Sequence, residues 1–202
     1  FYEHDMASAL WELSEEDGLL DAYKKELALH GKTPDEMKPV VRITTSDTGS
    51  GGANIFPMLV SGKENTTISL GSPLRLGHRN GRSLSEFDDQ LKLLYGKYQL
   101  AAGNLVKLLK VEVMNPVNCM KGVMDKLGIA RKYAAEAVDL FVAQYGEGPC
   151  TAHDIYFGIS EILYMLACEG EEGGRIARME ETIARALSVN WREYDVPGAY
   201  RW

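Results

Sequence analysis

Apolar positions change their spacing along the chain, and each change marks a different kind of element. Leu20, Tyr23 and Leu27 recur at helical intervals, and Gly31 offers a stop. Ser14, followed by Glu15, Glu16 and Asp17, reads as a helix start, a capping hydroxyl with acidic groups at the positive end of the dipole. Residues 1–39 are therefore expected to be a helical segment, with Thr33, Pro34 and Asp35 opening a further short turn.

After Pro39 the pattern becomes short β-branched and aromatic runs separated by Gly, Ser and Asn. VVRITT (Val40 to Thr45), IFPMLV (Ile55 to Val60), TTISL (Thr66 to Leu70) and LRLGH (Leu74 to His78) predict a small antiparallel sheet over about residues 40–78. Pro57 cannot donate to a ladder, so the second run is expected at an edge or a bulge. The connecting loop, Ser46 to Asn54, is glycine-rich and offers backbone N–H groups to an anion.

A long helix over about residues 84–110 follows. Ser83-Leu84-Ser85-Glu86 reads as a capping box at its start. Leu84, Phe87, Leu91, Leu94, Tyr98, Ala101, Leu105 and Leu108 form its apolar seam, spaced three and four apart, with Gly96 and Gly103 on the opposite face. That seam suits a buried spine, or a homo-oligomer built through the long helix. Downstream the chain reads as helices. Asn115-Pro116 opens one carrying Val117, Met120, Met124 and Leu127, and Gly128 closes it. A second runs through Ala134, Val138, Phe141, Val142 and Tyr145 to Gly146. Thr151 caps a third with Ile155, Ile159, Ile162 and Leu166 inward, and Ile176, Met179, Ile183 and Leu187 mark a fourth. The aromatic tail, residues 191–202, is too short to fold alone and is expected to pack across these helices. The sum is one α+β domain over 1–202: helical segment 1–39, sheet 40–82, helices 83–190 and tail.

Composition narrows the classes of function. The 202 residues are 45% apolar with 29 acidic and 22 basic side chains, a net charge of -7. That balance excludes a uniformly basic polyanion binder and leaves room for a local basic patch. No apolar run approaches the roughly 20 residues of a membrane span, and the acidic N-terminal stretch is unlike a signal or transit peptide. Cys119, Cys150 and Cys168 form no CxxC pair, which argues against a disulfide framework or a structural zinc site and for a reducing compartment.

Catalytic motifs are weak. Gly62-Lys63 is followed by Glu64, and Pro57 stands where a Walker loop needs its first glycine. Gly49-Ser50-Gly51 leads to Asn54 where a dinucleotide fingerprint needs glycine. Metal-assisted hydrolysis would draw on His78, His153-Asp154 and Asp195, yet His78 sits among strands, and His153 is expected to be exposed in a first helical turn. Ser46, Asp47 and His78 could assemble nucleophilic chemistry only if the sheet brought them together, and the cysteines occupy positions suited to small buried residues. No catalytic residue, metal ligand or cofactor is expected. The densest signal is electrostatic. Arg75, His78, Arg79, Arg82 and Ser83 crowd the start of the long helix, whose free N–H groups favour an anion, and Arg42 on the first strand can join them.

The stretch SLGSPLRLGHRNGRSLSEFDDQL, the later CTAHDIYFGISEIL and the aromatic close resemble a phage- and plasmid-borne protein family whose domain has no assigned function. The resemblance covers residues 40–202. It rests on His78 and Arg79 in the turn before the helix and on Thr151 and Ala152 opening a later one; His153 and Asp154 depart from the Trp or Gly typical there. It implies a mobile genetic element and the cytoplasm of a bacterial host. In that setting the expected function is an accessory protein binding single- or double-stranded DNA, or another phosphate-bearing ligand, through the basic turn. The alternatives are an acidic interaction protein inhibiting a host defence nuclease, as anti-CRISPR proteins do, and a metal-dependent phosphohydrolase.

Overall fold

A computed structural model describes residues 2–3, 6–13, 18–32, 37–46, 53–61, 66–71, 73–76, 84–200 and 202. The fold is mixed α+β, with an antiparallel sheet, a long helix and a helical C-terminal half. By its contacts the chain forms two compact units, Phe1–Gly103 and Asn104–Trp202.

The first unit holds β1 (Tyr2–Glu3), β2 (Met6–Glu12), α1 (Asp21–Leu29), β3 (Met37–Ser46), β4 (Ala53–Ser61), β5 (Thr66–Ser69), β6 (Leu74–Leu76) and most of α2 (Leu84–Leu109). Strands β1 to β4 lie side by side in chain order, and β5 and β6 share the far edge of β4. All these pairings are antiparallel. The four strands expected from the β-branched runs are all present.

The N-terminal segment corrects the sequence reading. Met6–Glu12 is a strand paired with β3 from Met6↔Ser46 to Glu12↔Val40, where a helix was expected. Its alanines and leucine suit a helix, but β3 is ten residues long and its open edge offers a full ladder, so tertiary pairing overrides propensity. Helix α1 is capped at Leu20 with no side-chain bond, well past Ser14; Ser14 to Asp17 and Thr33 to Asp35 lie outside the described residues. Leu20, Tyr23 and Leu27 are buried as the spacing requires, and Gly31 takes the turn after the helix at φ 68°.

Pro57 also departs from expectation, because β4 is the most fully paired strand of the sheet. On one side Pro57 stands opposite Val41 of β3. On the other, β6 pairs residues 53–55 and β5 pairs residues 58–61, so Pro57 falls at the join between them. Its carbonyl accepts from Leu70 N–H at 2.8 Å, which shows that its nitrogen faces the same join. The missing donor therefore forgoes one bond, to the Leu70 carbonyl at the end of the β5 pairing, and none to β3, so a central proline is tolerated.

Helix α2 buries Leu94, Tyr98, Ala101, Leu105 and Leu108 of the expected seam and leaves Gly96 and Gly103 exposed, while the side chains of Leu84, Phe87 and Leu91 lie outside the described residues. The sheet packs on it through Tyr98, whose hydroxyl accepts from Met58 N–H at 3.0 Å and donates to the Val40 carbonyl. Burial raises the Tyr98 pKa against the lowering effect of those backbone bonds, so the phenol stays protonated as a donor.

The second unit contains the end of α2, then β7 (Glu112–Val113), α3 (Pro116–Leu127), α4 (Arg131–Tyr145), β8 (Cys150–Thr151), α5 (Ala152–Cys168) and α6 (Gly173–Ala184). The β7/β8 pairing, Glu112↔Thr151 and Val113↔Cys150, was not foreseen; two residues a side leave no periodicity to read. Helix α5 is the core element, with Ile155, Ile159, Ile162 and Leu166 fully buried. Gly158 lets α4 approach it: a Cβ there would stand 2.7 Å from a ring carbon of Phe141. On α3 the inward stripe is Cys119, Met120, Val123 and Met124, while Val117 and Leu127 are only half-buried.

The tail packs on α3. Gly122 receives the ring of Tyr194, and Asn118 Nδ2 donates to the carbonyls of Val196 at 2.7 Å and Gly198 at 2.5 Å. Trp191 is buried and its indole N–H donates to Ala186 O.

Candidate functional site

Strand register decides which polar residues meet. Ser8 stands opposite Thr44, Thr44 opposite Asn54, and Asn54 opposite Arg75. Paired residues of antiparallel neighbours project from the same face, so these four make one polar row crossing β2, β3, β4 and β6. In the adjacent row on that face Leu10, Arg42 and Phe56 are opposed. Arg42 and Arg75 thus share a face, about 12 Å apart by strand geometry.

The two arginines are held differently. Arg42 is half-buried, with its guanidinium carbon 4.6 Å from the centre of the buried Phe56 ring, a cation–π contact that fixes the side chain against the sheet. Arg75 is exposed at the end of the row. Thr44, at the row's middle, is buried, whereas Ser8 and Asn54 are half-buried. The face therefore carries two hydroxyls, that of Thr44 buried, an amide and two permanent cations, group types that bind oxyanions.

Of the expected site residues, Arg42 and Arg75 are brought to one face. His78, Arg79, Arg82 and Ser83 lie outside the described residues. Strand β6 is described to Leu76 and α2 from Leu84, so Arg75 sits on the strand that leads into that basic segment, and the capping box expected at Ser83 lies outside the described residues. Ser8, Thr44 and Asn54 were missed, for two reasons. Ser8 lies in the segment read as helical. The period-2 alternation Arg42/Thr44 and Asn54/Phe56 was legible, but only register shows that the two pairs are neighbours.

The residues weighed for hydrolytic chemistry are committed elsewhere in the second unit. Asp154 forms a capping box with Thr151: its carboxylate accepts from Thr151 N–H at 3.0 Å while Thr151 Oγ1 accepts from Asp154 N–H. His153 is buried and stacks on Phe157 with ring centres 4.4 Å apart, so its expected exposure is corrected; helix α5 is buried from its first turn. Asp195 accepts from the N–H groups of Met114 at 3.0 Å and Asn115 at 2.7 Å, and from Asn115 Nδ2 at 2.9 Å. Desolvation pushes its pKa up, the three bonds pull it down further, and the net shift is downward. Asp195 thereby fixes the chain just before α3, and Asn115 makes no side-chain cap bond of its own.

Among the described residues no group of three or more His, Cys, Asp or Glu is placed to hold a metal. Burial, then the proximity of Asp195 and Cys150, pushes the Cys119 thiol up to about 12, which removes it as a nucleophile. Cys150 is half-buried and Cys168 exposed, the latter contrary to the burial expected of it. Asp47 and His78 lie outside the described residues.

Comparison with protein-family models, with curated proteins and with solved structures finds no match to this chain. Among the described residues no helix is long and apolar enough to cross a membrane.

Proposed function

We propose that this chain is a phage- or plasmid-type accessory protein that binds nucleic acid, or another phosphate-bearing ligand, along the sheet face of Ser8, Arg42, Thr44, Asn54 and Arg75 and the basic segment that follows. The observation that supports this reading is the register-imposed row ending in Arg75, with Arg42 beside it. Such a face contacts phosphates and sugars without reading bases, because the aromatic ring it contains, Phe56, is buried under Arg42. The setting in a mobile genetic element rests on the resemblance of the quoted stretches alone.

The test is a mobility-shift titration of the full chain with single- and double-stranded DNA at two ionic strengths. Four arginines, Arg42, Arg75, Arg79 and Arg82, predict a single-strand salt slope of about -3 in log–log form. The triple variant R75S/R79S/R82S is expected to lose binding at least tenfold with unchanged circular dichroism. No affinity for either DNA or for inorganic polyphosphate at low salt would overturn the proposal. If the chain instead competes for a basic nuclease, its net charge of -7 becomes the operative feature.

A further inference from the structure

The outer face of α2 carries a second, unexpected heptad. Asp89, Leu93, Gly96, Leu100, Gly103 and Lys107 follow one another at intervals of four and three, and on a helix they fall within an arc of about 80°. All six are exposed, Leu93 at 55% and Leu100 at 65%, although leucines of a buried stripe lie only one residue away, at Leu94. This is not the seam read from the sequence, which lies on the helix's opposite side and is buried from Leu94 to Leu108.

The stripe is complementary to itself. Position 98 is its centre: Asp89 and Lys107 are equidistant from it, as are Leu93 and Gly103, and Gly96 and Leu100. We infer that α2 pairs antiparallel with α2 of a second copy of this chain through this stripe. About a two-fold axis at position 98, each leucine of one copy faces a glycine of the other, a knob over a vacant hole. Each Asp89 faces the other copy's Lys107, so opposite charges close both ends of the seam. The parallel arrangement has neither property, since it sets leucine on leucine and aspartate on aspartate. At both glycines a Cβ would meet nothing within 4 Å, so the holes are open and the helix axes can approach closely. Asp89 is already 3.4 Å from Lys92, an exposed pair weak enough to exchange for the partner's lysine.

Sedimentation equilibrium of the full chain from low to high micromolar concentration tests the inference. The chain is expected to dimerise. G96Q/G103Q fills the holes with a better helix former, so it should raise the melting temperature while raising the dimer dissociation constant at least tenfold. D89K and K107D should each weaken the dimer, and D89K/K107D should recover it, which a folding defect would not do. A wild-type chain that stays monomeric throughout overturns the inference. So does a dimer whose affinity is unmoved by the glycine replacements, since that dimer uses another surface.

Discussion

The two units arrange their polar side chains differently. In the second unit they are tied into the scaffold: Asp195 fixes the chain entering α3 and Asp154 completes the capping box of α5. Asn118 holds the tail, and Glu169 accepts from Lys132 and from the Tyr133 hydroxyl at 3.1 Å. In the sheet unit the corresponding groups are arrayed as a row on one face, running from half-buried Ser8 to exposed Arg75. A helical bundle must close its helix ends and anchor its tail, so its polar groups belong to stability. A sheet satisfies its backbone through the ladder, so its side chains are not needed to close backbone groups. The difference predicts where substitutions hurt folding.

The largest effect belongs to the helical core. Phe141 is 1% exposed, stacks on Tyr145 at 5.0 Å between ring centres, and fills the space that Gly158 leaves. Phe141→Ala is expected to cost about 3–5 kcal/mol in chemical denaturation. A loss below about 1 kcal/mol would mean the second unit is not the well-packed half, and the contrast would fail.

The same contrast explains what the sequence could reveal. Helix seams are local, since Ile155, Ile159, Ile162 and Leu166 are neighbours by periodicity alone, and all of them are buried as read. Thr151 as a cap was legible because its partner, Asp154, is three residues away. The polar row was not, because Ser8 and Thr44 meet only through a pairing across 36 positions. Pro57 was misplaced for a related reason: whether a missing N–H matters depends on which strand ends opposite it. Asp195 as a remote anchor of the chain entering α3, 80 residues from Asn115, leaves no local mark.

Asp195→Ala comes next. It strips the acceptor from two backbone N–H groups and the Asn115 amide, at a cost of about 1–3 kcal/mol at neutral pH. The folded pKa is lowered, so this contribution is present above the unfolded carboxylate value of about 3.9 and is lost as pH falls through the depressed folded value. Denaturation of wild type and variant should therefore converge toward pH 2. A gap that persists there would assign the loss to packing.

Tyr98→Phe probes the tie between sheet and helix and should cost about 0.5–1.5 kcal/mol. The ring stays, and what is lost is the hydroxyl bridging Met58 N–H and the Val40 carbonyl. A smaller change would mean that β3 and β4 close the ladder unaided.

The smallest effect on stability is expected at Arg75, and it is the sharpest test of the contrast. The side chain is exposed at the end of the row, so Arg75→Ser should shift the unfolding free energy by no more than about 0.5 kcal/mol. If the face binds phosphates, the same change should flatten the single-strand salt slope by about 0.7, the share of one contact, and weaken binding equally across sequences. Unchanged stability with a reduced slope assigns Arg75 to a ligand. A destabilised variant with an unaltered slope would place Arg75 with Asp195, among the groups that hold the fold.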